Sequence, residues 1–197
     1  MKRLLAYLFI VLGLGLVVNV NADDIRDFEI ERMGIGDSAL NYFSEEEIIN
    51  NKQVNQYPND KYIIRNIYKH ENFKTYEMIT IKHLKNDEKY IIEGLSGSIF
   101  YKNNIDDCYT KKKIIENEFD LLFNNSKKDS GKINKSYDKT GNSTSNITEY
   151  YLKNGAVIQI TCDDWSEKLT EENNLWDSLN VNLQGSDFRK WLETEAY

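Results

Sequence analysis

The sequence predicts an α+β fold, in which helices pack on one face of a mostly antiparallel sheet of five to seven strands. Two runs rich in β-formers, Ile147–Leu152 and Ala156–Cys162, flank Asn154-Gly155, and Asn-Gly between such runs is the strongest short-range hairpin signal. Further strand-like runs between residues 62 and 101 are joined by links too short for a helical crossover. An amphipathic helix near Asp107–Phe123 follows them.

The first 22 residues are predicted to be a signal peptide. Lys2 and Arg3 give a positive start, Leu4–Val18 is apolar, and Val20 and Ala22 occupy the small-residue positions before a cleavage site after Ala22. The alternative is an uncleaved anchor helix, but the apolar run is short for a span of ~20 residues. We therefore expect a periplasmic or secreted protein with no membrane segment after cleavage.

Residues 23–197 are expected to form a single domain. Cleavage removes Lys2 and Arg3 and changes the formal net charge from −7 to −9. An acidic chain argues against binding nucleic acid or anionic lipid through bulk charge. The expected partner is therefore an unknown periplasmic ligand or protein, with no nucleic acid and no membrane.

Before the helix near Asp107–Phe123, the sequence predicts a short helix followed by an antiparallel meander of strands. Ser44-Glu45-Glu46-Glu47 has the form of a capping box, which predicts a helix that runs to about Asn50. Strands are then expected at four runs rich in β-branched and aromatic residues, namely Tyr62–Tyr68, Tyr76–Leu84, Tyr90–Leu95 and Ser98–Tyr101.

The helix near Asp107–Phe123 places Cys108, Ile115, Phe119 and Leu122 on one face. An aspartate at its start is the expected N-cap, so that Cys108 lies in the first turn. Cys108 and Cys162 are the only cysteines, and in an exported chain a disulfide is the simplest interpretation. The alternative is two buried free thiols.

Residues 124–146 form a break in composition, because Ser, Asn, Lys and Gly dominate them. We interpret this segment as a mobile loop. The predicted bridge would then hold together the two halves of the chain that the loop separates. After the hairpin, we expect a polar connection at Glu167–Asn174, a half-buried strand at Ser178–Leu183 and a final helix from Ser186 or Asp187.

No catalytic, cofactor-binding or metal-binding residues are predicted. Gly94-Leu95-Ser96-Gly97-Ser98 lacks the last glycine of a nucleophile elbow, which favours a glycine-kinked turn between strands. His70 and His83 are the only histidines, and no Cys/His spacing of a known zinc type accompanies them. We expect both to be exposed or on an edge strand.

A candidate binding surface remains near the hairpin. The acidic turn Asp163-Asp164 precedes Trp165, and carboxylates beside an indole would face a sugar or a cation. Tyr150 and Tyr151 are expected to point to opposite faces of their strand, so that at least one faces away from the core.

Several motifs resemble those of one family of proteins. They are Gly36-Asp37-Ser38, Tyr42–Ile48, Gly97–Tyr101 followed by Cys108, and Cys162–Ser166. Over most of the mature chain the sequence resembles small exported proteins of Pelagibacter-type marine alphaproteobacteria, a group with no assigned activity. The resemblance implies a periplasmic address and no particular chemistry.

The leading functional hypothesis is a non-catalytic binding or interaction module in the periplasm. The alternative is a hydrolase that acts on envelope or extracellular polymer through carboxylates such as Asp163 and Asp164. Two carboxylates that face each other in a concave pocket would favour the enzyme, and a flat or filled sheet face would favour the binding module.

Overall fold

A computed structural model describes residues 24–53, 57–102 and 104–197. The predicted signal peptide, with its cleavage site after Ala22, lies outside these residues. Within the described ranges, no helix is both long enough and apolar enough to cross a membrane.

The described residues form nine strands and four α-helices. The strands are β1 (Glu29–Ile30), β2 (Met33–Gly34), β3 (Tyr62–Tyr68), β4 (Met78–Leu84), β5 (Gly94–Tyr101), β6 (Lys127–Asn134), β7 (Thr144–Tyr151), β8 (Val157–Asp164) and β9 (Asp177–Gln184). The helices are α1 (Glu45–Asn50), α2 (Ile105–Leu122), α3 (Glu167–Asn173) and α4 (Ser186–Thr194).

Seven of these strands form one antiparallel sheet, in the order β3-β4-β5-β9-β8-β7-β6. This confirms the predicted α+β class with a sheet of five to seven strands. The sheet consists of two meanders, β3 to β5 and β6 to β9. Their last strands, β5 and β9, pair with each other at the centre, and α2 carries the chain from β5 to the far edge.

One side of the sheet, called the core face here, holds most of the buried apolar side chains. Leu95, Leu183 and Ile158 lie side by side on neighbouring strands of this face and are fully buried. Helix α2 and the N-terminal segment cover it, and Phe28 of that segment lies 6.5 Å from Phe119 of α2 between ring centroids. The opposite side of the sheet is called the open face.

Helix α4 lies against the open face at one end of the sheet, so the helices do not all pack on one face. The Phe188 ring is 5.1 Å from the Tyr62 ring between centroids. A Cβ atom added to Gly94 would lie 3.2 Å from Cδ1 of Phe188. The absence of a side chain at Gly94 therefore allows α4 to approach the strands closely.

The predicted disulfide between Cys108 and Cys162 is confirmed, with the two Cα atoms 6.0 Å apart. It joins the first turn of α2 to β8, and both cysteines are fully buried. The helix begins two to three residues earlier than predicted, because its N-cap is Asn104 rather than Asp106 or Asp107. The capping box at Ser44 and Glu47 is confirmed.

The loop predicted for residues 124–146 is wrong for much of that range. Strand β6 occupies Lys127–Asn134 and pairs with β7, which begins at Thr144. All eight residues of β6 are exposed, and such an edge strand needs no apolar side chains because backbone hydrogen bonds to one neighbour define it. A composition rich in Lys, Ser and Gly therefore resembles that of a loop.

The expected turn around Ser96-Gly97 is also wrong. β5 is continuous from Gly94 to Tyr101, and Gly97 pairs with both Ile79 and Val181. The glycine serves close packing, because a Cβ atom at position 97 would lie 2.6 Å from the Tyr76 ring.

Candidate functional site

A groove of about 740 Å³ lies on the open face, mainly over β3, β4, β5 and β9. Its floor consists of short, uncharged polar side chains, namely Thr80, Ser96, Ser98, Ser178, Asn180 and Asn182. Ser96 and Ser98 are buried. A concave surface with a few convergent polar groups is the usual form of a small-molecule site.

The register of the sheet aligns polar side chains into a row across this floor. Asn66 pairs with Thr80, Thr80 with Ser96, Ser96 with Asn182, and Asn182 with Gln159. Directly paired residues project to the same face of a sheet. Five adjacent strands therefore present one continuous polar row to the open face.

Asn180 is held rigidly by protein contacts. Ser98 Oγ donates to Asn180 Oδ1 at 2.6 Å, and Asn180 Nδ2 donates to Asp163 Oδ2 at 3.0 Å and to Ser178 Oγ at 3.1 Å. These contacts use both amide hydrogens of the side chain. The Asn180 amide therefore shapes the floor and has little capacity left to bind a ligand.

Asn182 has spare hydrogen-bonding capacity. Its Nδ2 donates to Gln159 Oε1 at 3.2 Å, and no other residue that the structure describes donates to its Oδ1. Asn182 therefore offers an acceptor to the groove, next to the Ser96 hydroxyl group with which it is paired.

Lys82 brings a cation to the same part of the floor. Its side chain is half-buried, and Nζ donates a hydrogen bond to Ser96 Oγ. Burial lowers the pKa of Lys82 to about 8, because the ammonium form loses hydration. Among the described residues, no carboxylate forms an ion pair with this amine.

Aromatic side chains form walls above the polar floor. Trp165 and Trp176 come from the connection between β8 and β9, and Tyr57 and Phe100 also line the groove. Lys102 Nζ lies 5.0 Å from the centroid of the Trp176 ring. Flat aromatic surfaces over hydrogen-bonding groups suit a polar molecule that carries a ring.

The structure separates the predicted Asp163-Asp164-Trp165 surface. Asp163 and Trp165 line the groove, whereas Asp164 points towards the opposite side of the sheet because side chains alternate along a strand. Asp163 Oδ1 accepts from Lys135 Nζ at 2.7 Å and from Ser145 Oγ. Asp163 is thus already neutralised by a protein cation.

Tyr150 and Tyr151 point to opposite faces as predicted, but neither lines the groove. Tyr150 is 1% exposed, and its hydroxyl group donates to Asp120 Oδ1 at 2.8 Å. Its ring packs against Phe119 beneath α2 and therefore presents almost no surface to a ligand. Tyr151 lies on the open face and donates to Glu149 Oε2 at 2.5 Å.

The prediction for the histidines is wrong for His83, which is 1% exposed on the interior strand β4. Its Nε2 accepts from Arg65 Nε at 3.1 Å, and burial lowers the pKa of His83. His70 Nε2 lies 3.4 Å from Glu47 Oε1. Within the described ranges, no group of three or more His, Cys, Asp or Glu side chains is placed to hold a metal ion.

A second cavity of about 370 Å³ lies between α2 and the strands β6 and β7. Lys112 Nζ donates to Glu116 Oε1 at 2.6 Å and to Thr148 Oγ1 at 2.8 Å there, and Thr148 Oγ1 donates to the same carboxylate oxygen at 2.6 Å. The buried cation and the carboxylate satisfy each other. This network fixes α2 to the sheet and makes the cavity a weaker candidate than the groove.

The residues that characterise the groove, namely Lys82, Ser96 and Asn182, were missed by the sequence reasoning. A signal was nevertheless present in β5 and β9. Five of their alternating non-core positions hold short, uncharged polar residues, namely Ser96, Ser98, Ser178, Asn180 and Asn182, whereas solvent-facing strand positions are commonly charged. Comparison of the chain with protein-family models, with curated proteins and with solved structures finds no match.

Proposed function

We propose that this protein is a non-catalytic binding protein that acts outside the cytoplasm and holds a small polar ligand in the groove of the open face. The observation that carries the proposal is the combination of a floor of short polar side chains with aromatic walls in a groove of about 740 Å³. Sites that hold small polar molecules combine these features.

Two features support export of the chain. The first 22 residues have the pattern of a signal peptide with cleavage after Ala22. The disulfide between Cys108 and Cys162 is of a kind that persists in oxidising compartments such as the periplasm.

The chemistry of the floor favours binding over a structural role. An interior that only served packing would gain stability from apolar side chains at these positions. Lys82 and Asn182 instead retain hydrogen-bonding capacity that the described residues do not use. A ligand in the groove can use this capacity for its own hydrogen bonds.

The hydrolase hypothesis through Asp163 and Asp164 gains no support from this geometry. The two side chains point to opposite sides of the sheet, so they do not flank a common substrate as the carboxylates of a glycosidase must. Asp163 also forms an ion pair with Lys135 at 2.7 Å. The groove therefore supports binding best.

Tryptophan fluorescence provides the test, because Trp165 and Trp176 line the groove. The mature protein would be titrated with a panel of monosaccharides, sugar acids, amino acids and aromatic acids. We expect at least one class to change the emission in a saturable way. Trp176→Ala should weaken that binding by about tenfold, the effect of losing about 1.4 kcal/mol of contact.

Tyr109→Ala is the matched control, because Tyr109 is a half-buried aromatic residue that lies at the cavity beneath α2. It should leave the affinity unchanged. Equal weakening by Trp176→Ala and Tyr109→Ala, or binding that is insensitive to Trp176→Ala, would contradict the assignment of the groove.

A further inference from the structure

We infer that the ligand carries a carboxylate group, which the groove holds between Lys82 Nζ and Ser96 Oγ. This inference rests on the proposed binding function and specifies the chemical class of the ligand. It follows from how the chain positions Lys82, from the charges around that residue and from the number of donors that the two side chains offer.

The chain delivers the Lys82 amine to the floor through a dedicated arrangement of neighbours. Lys82 pairs with Gly94 in the adjacent strand, and a Cβ atom added to Gly94 would lie 2.8 Å from Cδ of Lys82. Nζ lies 6.0 Å from the centroid of the Phe188 ring. The lysine stem thus crosses the space that a side chain at position 94 would occupy, and this crossing brings Nζ to Ser96 Oγ.

Lys82 differs in its charge balance from Lys112 and Lys135, two other lysines whose side chains are largely withdrawn from solvent. Lys112 lies 2.6 Å from a Glu116 oxygen, and Lys135 lies 2.7 Å from an Asp163 oxygen. The amine of Lys82 has only a neutral hydroxyl group as a hydrogen-bond partner among the described residues. A desolvated cation without a counter-ion is costly, and an anionic ligand would supply the missing partner.

The amine remains a cation under ordinary conditions. Its pKa is lowered to about 8 by desolvation, so the protonated form still predominates at neutral pH. Lys69 and Lys102 also line the groove, whereas the chain as a whole carries a formal net charge of −7. Two carboxylates, Glu77 and Asp163, line the groove as well, so its three lysines leave one positive charge in surplus on an acidic protein, which favours a small anion over an extended polyanion.

The donors at this point match a carboxylate in number. Lys82 Nζ retains hydrogens beyond the one it gives to Ser96, and Ser96 Oγ retains its own hydrogen because it accepts from Lys82. Two adjacent donors correspond to the two oxygens of one carboxylate. A phosphate group presents more acceptor oxygens than these two side chains serve.

The test uses acetate as the probe and acetamide as its neutral counterpart, both added to the mature protein at constant ionic strength set with sodium chloride. NMR of labelled lysine side chains and backbone amides follows Lys82 and Ser96. Saturating acetate should raise the pKa of Lys82 by about one unit, which corresponds to a tenfold higher affinity of the amine for its proton. Acetate should also shift the backbone amide resonance of Ser96, whereas acetamide should change neither this resonance nor the pKa of Lys82.

Lys112 provides an internal control, because its carboxylate partner is already present and its resonance should not respond. Lys82→Met keeps the length of the stem and should abolish the response of Ser96 to acetate. If that variant does not fold, Ser96→Ala replaces it and should weaken the response of Lys82 by about tenfold, since a hydrogen bond to a charged group is lost.

An acetate effect on Lys82 no larger than that of acetamide or chloride would overturn the inference. If neutral polar compounds still bind in the groove under those conditions, the binding function stands and only the carboxylate assignment fails. If no compound of the panel perturbs any groove residue, the proposed function itself fails.

Discussion

Removal of the Cys108–Cys162 disulfide should destabilise the protein by about 2–4 kcal/mol. The two cysteines are 54 positions apart in the sequence. The chain-entropy model assigns a bridge over a loop of this length about 4 kcal/mol, and measured values commonly fall below that figure. In this model the bridge stabilises the folded protein because it lowers the conformational entropy of the unfolded chain.

The variant of choice is Cys108→Ala with Cys162→Ala, because both positions are fully buried and alanine leaves no unpaired hydroxyl group there. Urea denaturation of the mature protein gives the free energy of unfolding and the m-value. The m-value should rise in the variant, since an unbridged chain exposes more surface on unfolding. The midpoint of thermal unfolding should fall by roughly 5–15 °C.

The matched control is the wild-type protein with its disulfide reduced, which should lose a similar free energy of unfolding. A loss below about 1 kcal/mol in both proteins would refute the reasoning, because it would mean that the bridge hardly restricts the unfolded chain. Deletion of residues 127–134 should also destabilise the protein, because these residues form β6 and pair with β7 along its length.

Three further changes test the packing, the buried histidine and a helix cap. Gly97→Ala should lower the free energy of unfolding by about 1–3 kcal/mol, because the new Cβ atom would lie 2.6 Å from the Tyr76 ring. Gly131→Ala is its control, because no atom lies within 4 Å of the new Cβ atom, and its free energy of unfolding in urea should stay within about 0.5 kcal/mol of wild type. Burial lowers the pKa of His83 in the folded protein, whereas in the unfolded chain this histidine takes up a proton at about pH 6.5. The free energy of unfolding therefore decreases as the pH falls below about 6.5, and it should decrease less in His83→Gln than in wild type. Ser44→Ala removes the capping box and should cost about 1 kcal/mol in the same assay, and a cost equal to that of a neighbouring exposed substitution would contradict the role of the cap.

The hairpin and the disulfide could be predicted because the sequence carries a strong signal for each. Asn154-Gly155 marks the turn between β7 and β8, and its glycine has a φ of +85°, a value that favours this residue. Two cysteines allow only one intramolecular bridge. In the first case a turn dipeptide contained the physical reason for the structure, and in the second the count of cysteines did.

Strand β6 could not be predicted, because it forms through pairing with the neighbouring strand β7 rather than through a pattern in its own residues. Its side chains are all exposed, so the sequence carries no apolar alternation. What holds the strand is its register with β7. The expected division into two halves joined mainly by the disulfide fails for a similar reason, since β5 pairs with β9 over a separation of about 80 residues.

The groove was hidden because its residues come from strands far apart in the sequence. Ser96 and Asn182 become neighbours only when β5 pairs with β9. In the sequence of β9 alone, Ser178, Asn180 and Asn182 have the pattern of the solvent-facing side of a half-buried strand. Asp163 and Trp165 line the groove, but the sequence singled them out as members of an acidic turn rather than as part of a polar concave surface.

Backbone-amide NMR mapping of a bound compound tests the central claim most directly. A compound that quenches the tryptophan fluorescence would be titrated into the labelled mature protein. We predict that the shifted amides cluster on Ser96, Ser98, Asn180 and Asn182, and that the amides of Lys112 and Thr148, which line the second cavity, stay unchanged. Shifts centred on Lys112 and Thr148, with none at the four floor residues, would contradict the account.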